Sequence, residues 1–155
     1  MVTLDKTDLR IVHALQLDAH MTAQQLADVL NLSPSQAGRR KQRLEQDGTI
    51  SHYIARPDPK RLGLTVQAFV QVQTSSHTPE THQAFLSLTR RQPEIIAAWT
   101  LTGEADYLLR VICTDLAALN QMVQEVLLPH PAVGRVQSQI VMDQIKDDSP
   151  LPTQA

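Results

Sequence analysis

Four basic side chains, Arg39, Arg40, Lys41 and Arg43, fall within five positions of a chain whose formal net charge is -2. They lie in SPSQAGRRKQRLEQDG, residues 33–48, among the hydrogen-bonding side chains of Ser35, Gln36, Gln42 and Gln46. On a helical wheel, Ala37 and Leu44 come within about 20° of each other and mark a core side. The opposite face carries Ser35, Arg39, Gln42, Arg43 and Gln46, with Gln36 beside it. That chemistry suits a DNA major groove, where Arg binds guanine O6/N7 bidentately and Gln pairs with adenine N6/N7. Because the N-terminal part of a recognition helix touches the bases, Ser35, Gln36 and Arg39 are expected on base edges. Arg40, Lys41 and Arg43 are expected mainly on phosphates, the first two with their aliphatic stems along the buried stripe. The competing reading of the same residues is a solvated helix with Lys41–Glu45 and Arg43–Asp47 pairs at i,i+4.

The neighbouring elements must decide between these readings. LDKTDLRIVHALQLD places Leu4, Ile11 and Leu15 at helical spacing, with Asp5 and Asp8 near its start, where acids favour the helix dipole. In TAQQLADVL, Thr22 and Gln25 form a capping-box pattern, and Ala23, Leu26, Ala27 and Leu30 follow i, i+3, i+4, i+7. Ser33 and Gln36 repeat the device, with Pro34 at the first helical position and Gly48 past the end. Only Asn31-Leu32 separates the second helix from the third, which predicts a compact helix-turn-helix. Gly38 in mid-helix costs about 1 kcal/mol relative to Ala, and it either permits close approach to a phosphate or is simply tolerated.

After residue 48 the pattern changes. SHYIARPDPKRLG reads as a short strand at Tyr53-Ile54 and a proline-bearing connector, with a domain boundary near residue 60. VQAFVQVQ alternates strictly, Val66, Ala68, Val70 and Val72 on one face. PETHQAFLSLTRRQ reads as a helix, IIAAWTL and DYLLRVICT as a hairpin, DLAALNQMVQEVLL as a helix with Leu116, Leu119, Val123 and Val126 inward, and VQSQIVMDQI as a last strand. The expected fold is therefore α+β: a helix-turn-helix (winged-helix-like) domain over 1–52, a strand and connector over 53–63, a ferredoxin-like βαββαβ domain over 64–146, and a frayed tail over 147–155. With helices on one sheet face, the other face calls for a partner subunit.

The hairpin turn, TGEADY, carries a second set of functional groups. Its backbone N–H groups could take a carboxylate, Glu104 and Asp106 could hold an ammonium, and Thr102 adds a hydroxyl. The plainer reading is a hairpin turn in which Gly103 supplies a positive φ and the acids face water.

Other chemistries find little support. Cys113 is the single cysteine, so there is no disulfide framework, and it reads as a core thiol. The six histidines, His13, His20, His52, His77, His82 and His130, show no i,i+3 or i,i+4 pair, so no metal site is expected. No Gly-rich phosphate loop, nucleophile elbow or paired-carboxylate framework appears, and the expectation is a non-enzyme without a cofactor. No apolar run reaches 18 residues and no signal-peptide stretch opens the chain, which points to the cytoplasm and away from membranes. Charge is asymmetric: residues 1–63 carry nine basic and seven acidic side chains, residues 64–155 five and nine. An anionic partner would dock at the front half.

Together these segments resemble the Lrp/AsnC family of leucine-responsive and asparagine-synthase regulators over about residues 3–146. The resemblance rests on the run from Leu4 to Ile50, on YIARPDPKRLGL, on TGEADYLLRV and on the closing IVMDQIK. The helix-turn-helix alone is shared by many regulators, but its succession by βαββαβ and a Gly-x-x-Asp-Tyr turn is highly specific. Arg40, Leu44 and Gly48 fall on residues usual in the family, Lys41 replaces a usual aliphatic residue, and Glu104 replaces a usual aspartate. The resemblance implies a transcriptional regulator that binds double-stranded DNA. It implies a homodimer, or a tetramer or octamer, that senses a small molecule, commonly an amino acid, through Gly103, Glu104, Asp106 and Tyr107, to which the turn's own chemistry adds Thr102. The alternative is a small-molecule-binding oligomer whose first helices serve assembly alone.

Overall fold

Three successive capping boxes organise the start of the chain. In each, a side-chain oxygen accepts the N–H three residues on, and that residue's side chain accepts the N–H of the cap. The pairs are Asp5/Asp8, Thr22/Gln25 and Ser33/Gln36, and they open α1 (Lys6–Leu17), α2 (Ala23–Leu30) and α3 (Pro34–Gln46). These elements come from a computed structural model that describes residues 3–153. The first box was not anticipated, because Asp8 reads from sequence only as a favourable charge near a helix start. Asn31 adopts the left-handed conformation (φ 55°) that ends α2, and Leu32 N–H reaches back to the Ala27 carbonyl at 3.0 Å.

Ile11, Leu26, Ala37 and Leu44 are completely buried where the three helices meet. Burying each larger side chain contributes roughly 1.5–3 kcal/mol, and one stripe per helix suffices for this small core. Gly38 faces α2, where an added Cβ would stand 3.4 Å from the Ala23 Cβ, an ordinary contact, so the packing of the two helices does not require glycine there. That spacing leaves room for a methyl group. Gly38→Ala is expected to stabilise the protein by about 0.5–1 kcal/mol, the helix propensity gained, measured as an upward shift of the urea midpoint. A downward shift would mean that the α2–α3 contact cannot absorb the methyl.

The strand expected at Tyr53-Ile54 is not formed: residues 51–58 carry no regular structure, and Ile54 is exposed. A strand needs a neighbour for its backbone N–H and C=O groups, and the regular elements of this unit are helices, so the β-prone pair has nothing to join. The unit also takes in tail residues 145–153. The tail was expected to fray. Instead Gln16 holds Leu151 in both directions, accepting its N–H at 2.6 Å and donating to its carbonyl at 3.3 Å, and Arg56 pairs with Asp148 at 3.2 Å.

The second unit, Pro57–Gln144, contains a short 3-10 turn (Lys60–Leu62), β1 (Val66–Thr74), α4 (Pro79–Arg91), β2 (Ile95–Thr100), β3 (Tyr107–Cys113), α5 (Leu116–Gln121) and β4 (Val133–Ile140). The sheet runs β2-β3-β1-β4 with every neighbour antiparallel, the ferredoxin-like order. Val70, Val72, Leu109 and Val111 are fully buried in the core they share with Phe85 and Leu127. The helix expected to carry Leu116, Leu119, Val123 and Val126 inward is interrupted. From Met122 to Leu127 it widens to a π-helical turn, with Leu128 N–H reaching the Val123 carbonyl at 2.9 Å. Leu119 is buried and Val123 and Val126 pack half-buried against the core as expected, Met122 and Leu127 join them on the same face, and only Leu116, in the first turn, is exposed instead. Cys113 is buried, and burial pushes its thiol pKa up, consistent with a packing role.

Candidate functional site

On α3, the caps and the buried pair Ala37 and Leu44 fix which side faces solvent. Ser35, Gln36, Arg39, Gln42 and Gln46 are exposed on it. Gln36 is partly committed: its Oε1 accepts the Ser33 N–H at 3.1 Å, and the Ser35 and Ser33 hydroxyls are 3.1 Å apart.

The basic cluster divides. Asp8 on α1, 1% exposed, accepts Arg40 Nη1 at 2.7 Å on one oxygen and Arg43 Nη2 at 2.5 Å on the other. Arg40 Nη1 also reaches Asp5 at 2.6 Å. The Asp8 N–H, and after it Arg40, hold the Asp5 carboxyl below the usual carboxylate range, and the two acids keep Arg40 still more firmly protonated. Arg40 and Arg43, expected on phosphates, are thus drawn against α1. Nor does either i,i+4 pair form, because Arg43 turns to Asp8 and Glu45 accepts the Tyr53 hydroxyl at 2.8 Å. Burial and that bond to Glu45 push the Tyr53 phenol up to about 12. Lys41 donates to the Met21 carbonyl at 3.3 Å, with its ammonium 5.6 Å from the centre of the Tyr53 ring. Arg39 has no hydrogen-bond or ion-pair partner among the described residues.

In the second unit the effector-loop residues do not share one cavity. Asp106 and Tyr107 line a cleft of about 430 Å³ together with His77, His82, Thr74 and Leu101. Glu104 lines another of about 300 Å³ with Ala105, Arg135, Gln71, Gln73 and Gln137. Thr102 and Gly103 line neither, though Gly103 has the expected positive φ of 119°. Asp106 Oδ2 accepts the Thr74 N–H at 2.6 Å and its hydroxyl at 2.7 Å. The Thr74 N–H is the main reason its carboxyl lies below the ordinary range, with His77 at 3.6 Å adding a smaller pull. The Asp106 backbone N–H donates to the Val72 carbonyl and its own carbonyl accepts from Leu101, so Asp106 ties the hairpin end to β1. Tyr107 pairs its hydroxyl with His82 Nδ1 and packs its ring 4.3 Å from that of Phe85. Burial, and next the charge of Asp106, push its phenol up.

His77, His82 and Thr74 escaped the sequence reading because they belong to β1, α4 and the connection between them. They reach Asp106 and Tyr107 only through β1–β3 pairing, which sets Val72 opposite Tyr107. No helical histidine spacing marks His77 or His82, since their partners are not histidines. Arg135 was likewise missed, and Glu104 and Arg135 face one cavity with opposite charges and no ion pair between them. Among the described residues no group of His, Cys, Asp or Glu could hold a metal ion, and no helix is long and apolar enough to cross a membrane.

Comparison with known proteins follows the two units. An AsnC-type helix-turn-helix domain matches residues 4–45, and the Lrp/AsnC ligand binding domain matches residues 67–151. The DNA-binding transcriptional activator DecR of Escherichia coli is 34% identical over 96% of this chain and 98% of its own. The transcriptional regulator AzlB of Bacillus subtilis is 31% identical over 97% and 96%. A Neisseria meningitidis transcriptional regulator solved in complex with L-Met superposes with a TM-score of 0.93 at 37% identity, covering 97% of both chains. The chain belongs to the Lrp/AsnC family of transcriptional regulators, with an AsnC-type helix-turn-helix followed by the family's ligand-binding domain.

Proposed function

We propose that this chain regulates transcription in the cytoplasm as a homo-oligomer. On this reading α3 enters the major groove with Ser35, Gln36 and Arg39 on base edges, and Lys41 lies beside the phosphates. The observation that carries this is the exposed face of α3, where an unpartnered arginine stands among serine and glutamine side chains on a helix with both ends capped. Arg40 and Arg43 act through α1. Two copies would present their helices to successive grooves about 34 Å apart, or a multiple of that. Dimerisation is supported by the sheet face away from α4 and α5, where Phe69 and Leu108 stay partly exposed and Trp99 is 47% exposed.

The effector reading is an amino acid at the Thr102–Tyr107 turn. Glu104 and Arg135 offer an ammonium and a carboxylate their opposite charges, while Asp106 and Tyr107 hold the turn and line the neighbouring cleft. Ligand binding there would shift the balance of assemblies and, through it, DNA affinity.

The test is binding of the full chain to labelled promoter duplexes across a salt series, with and without each amino acid. Log affinity is expected to fall linearly with log salt, by about 0.9 for each phosphate neutralised, and at least one amino acid should shift it. Salt-independent binding blind to sequence would reject α3 as a reader. Amino acids without effect on either binding or thermal midpoint would reject the effector.

A further inference from the structure

Among the described residues Asp8 is the single charged side chain in either core, 1% exposed, and it accepts from Arg40, Arg43 and the Asp5 N–H at 3.1 Å. A carboxylate taken out of water persists only where positive charge and hydrogen bonds replace its hydration. Here the replacement comes from the helix that faces DNA. Of the four cations of α3, two are neutralised by Asp8 and Asp5, and Lys41 is turned toward Met21 and Tyr53. Arg39 alone among them stands without a protein partner among the described residues.

We propose that Asp8 is a positioning residue for DNA recognition: it locks the roll of α3 against α1 and withholds Arg40 and Arg43 from phosphates, so that sequence preference outweighs general attraction to DNA. The proposal rests on α3 being the reader. Two paired arginines anchor α3 about one helical turn apart, on the side next to Arg39, so rotation of the helix would break both bonds at once. A phosphate that captured either arginine would leave the Asp8 carboxylate buried with half its compensation, and that cost opposes the exchange. The cluster that most resembles a phosphate-binding patch in the sequence is therefore largely spent inside the fold.

The experiment compares Asp8→Asn, Arg43→Gln and Arg39→Gln with the wild-type chain. Each is titrated against a preferred duplex and a scrambled one of equal length over a salt series, with circular dichroism to verify folding. Asp8→Asn should steepen the log–log salt slope by up to about 1.8 per recognition helix, two phosphates at about 0.9 each. It should also raise scrambled-duplex affinity roughly tenfold at low salt and compress the preferred-to-scrambled ratio. Arg43→Gln should leave the slope unchanged, while Arg39→Gln should lower the ratio. A folded Asp8→Asn with wild-type slope and ratio overturns the proposal, as does an Arg43→Gln slope reduced by about one phosphate contact. Should Asp8→Asn fail to fold, the Arg43→Gln slope decides alone. Arg39→Gln with a wild-type ratio would instead reject α3 as the reader, a result distinct from any effect at Arg43.

Discussion

Arg39→Ala is expected to cost about 1–3 kcal/mol of discrimination at one base pair of each half-site, roughly a 5- to 150-fold loss in preference. The reasoning is geometric. Arg39 is exposed, lacks a protein partner among the described residues and lies one turn after Ser35 on a helix whose start is fixed by the Ser33/Gln36 capping box. Its rigid fork of donors matches guanine O6/N7, and a lysine could not reproduce that bidentate fit. Stability should move by less than about 0.5 kcal/mol, since the side chain is solvated and Ala is a strong helix former. The measurement is binding to a library of single-base operator variants, with urea unfolding alongside. If preference survives at every position, Arg39 reads no base. If preference and stability fall together, the arginine supports the fold instead.

Phe85→Ala is expected to destabilise the ligand-binding unit by about 3–5 kcal/mol, the usual cost of emptying an aromatic site in a packed core. Phe85 is fully buried on α4 and its ring centre lies 4.3 Å from that of Tyr107. A ring pair at that separation contributes beyond its buried area. Against a typical total stability of about 5–15 kcal/mol, the loss is large enough to populate the unfolded unit. The change should also reach the site, because the Tyr107 ring that holds His82 would lose its support. Urea unfolding measures the first effect, and Phe85→Leu, which refills most of the volume, should recover much of it. Equal losses for both variants would show that ring contact, rather than volume, dominates.

Much of the fold was legible in the sequence because its signals are local. The Thr22/Gln25 and Ser33/Gln36 capping boxes each span three positions, and the period of two in VQAFVQVQ needs no partner to be seen. The missed features are those in which a local preference is overruled or a partner is distant. Tyr53-Ile54 prefers the β conformation but has no strand beside it, and the π-helical turn at Met122–Leu127 leaves no mark in an apolar spacing that fits an α-helix equally well. The TGEADY turn was found as a unit, yet the sheet sends Asp106 and Tyr107 to one cavity and Glu104 to another.

The basic run of α3 marks the same division. By itself the sequence determined that a capped helix with Ala37 and Leu44 inward would carry Arg39, Arg40, Lys41 and Arg43, since helix geometry and caps operate within one or two turns. Only the tertiary structure decided which of those cations remain available. Asp8 lies 32 positions from Arg40 and 35 from Arg43, and only the packing of α1 on α3 brings the three together. Charge is a property of composition, but whether a charge is free depends on what the fold places next to it.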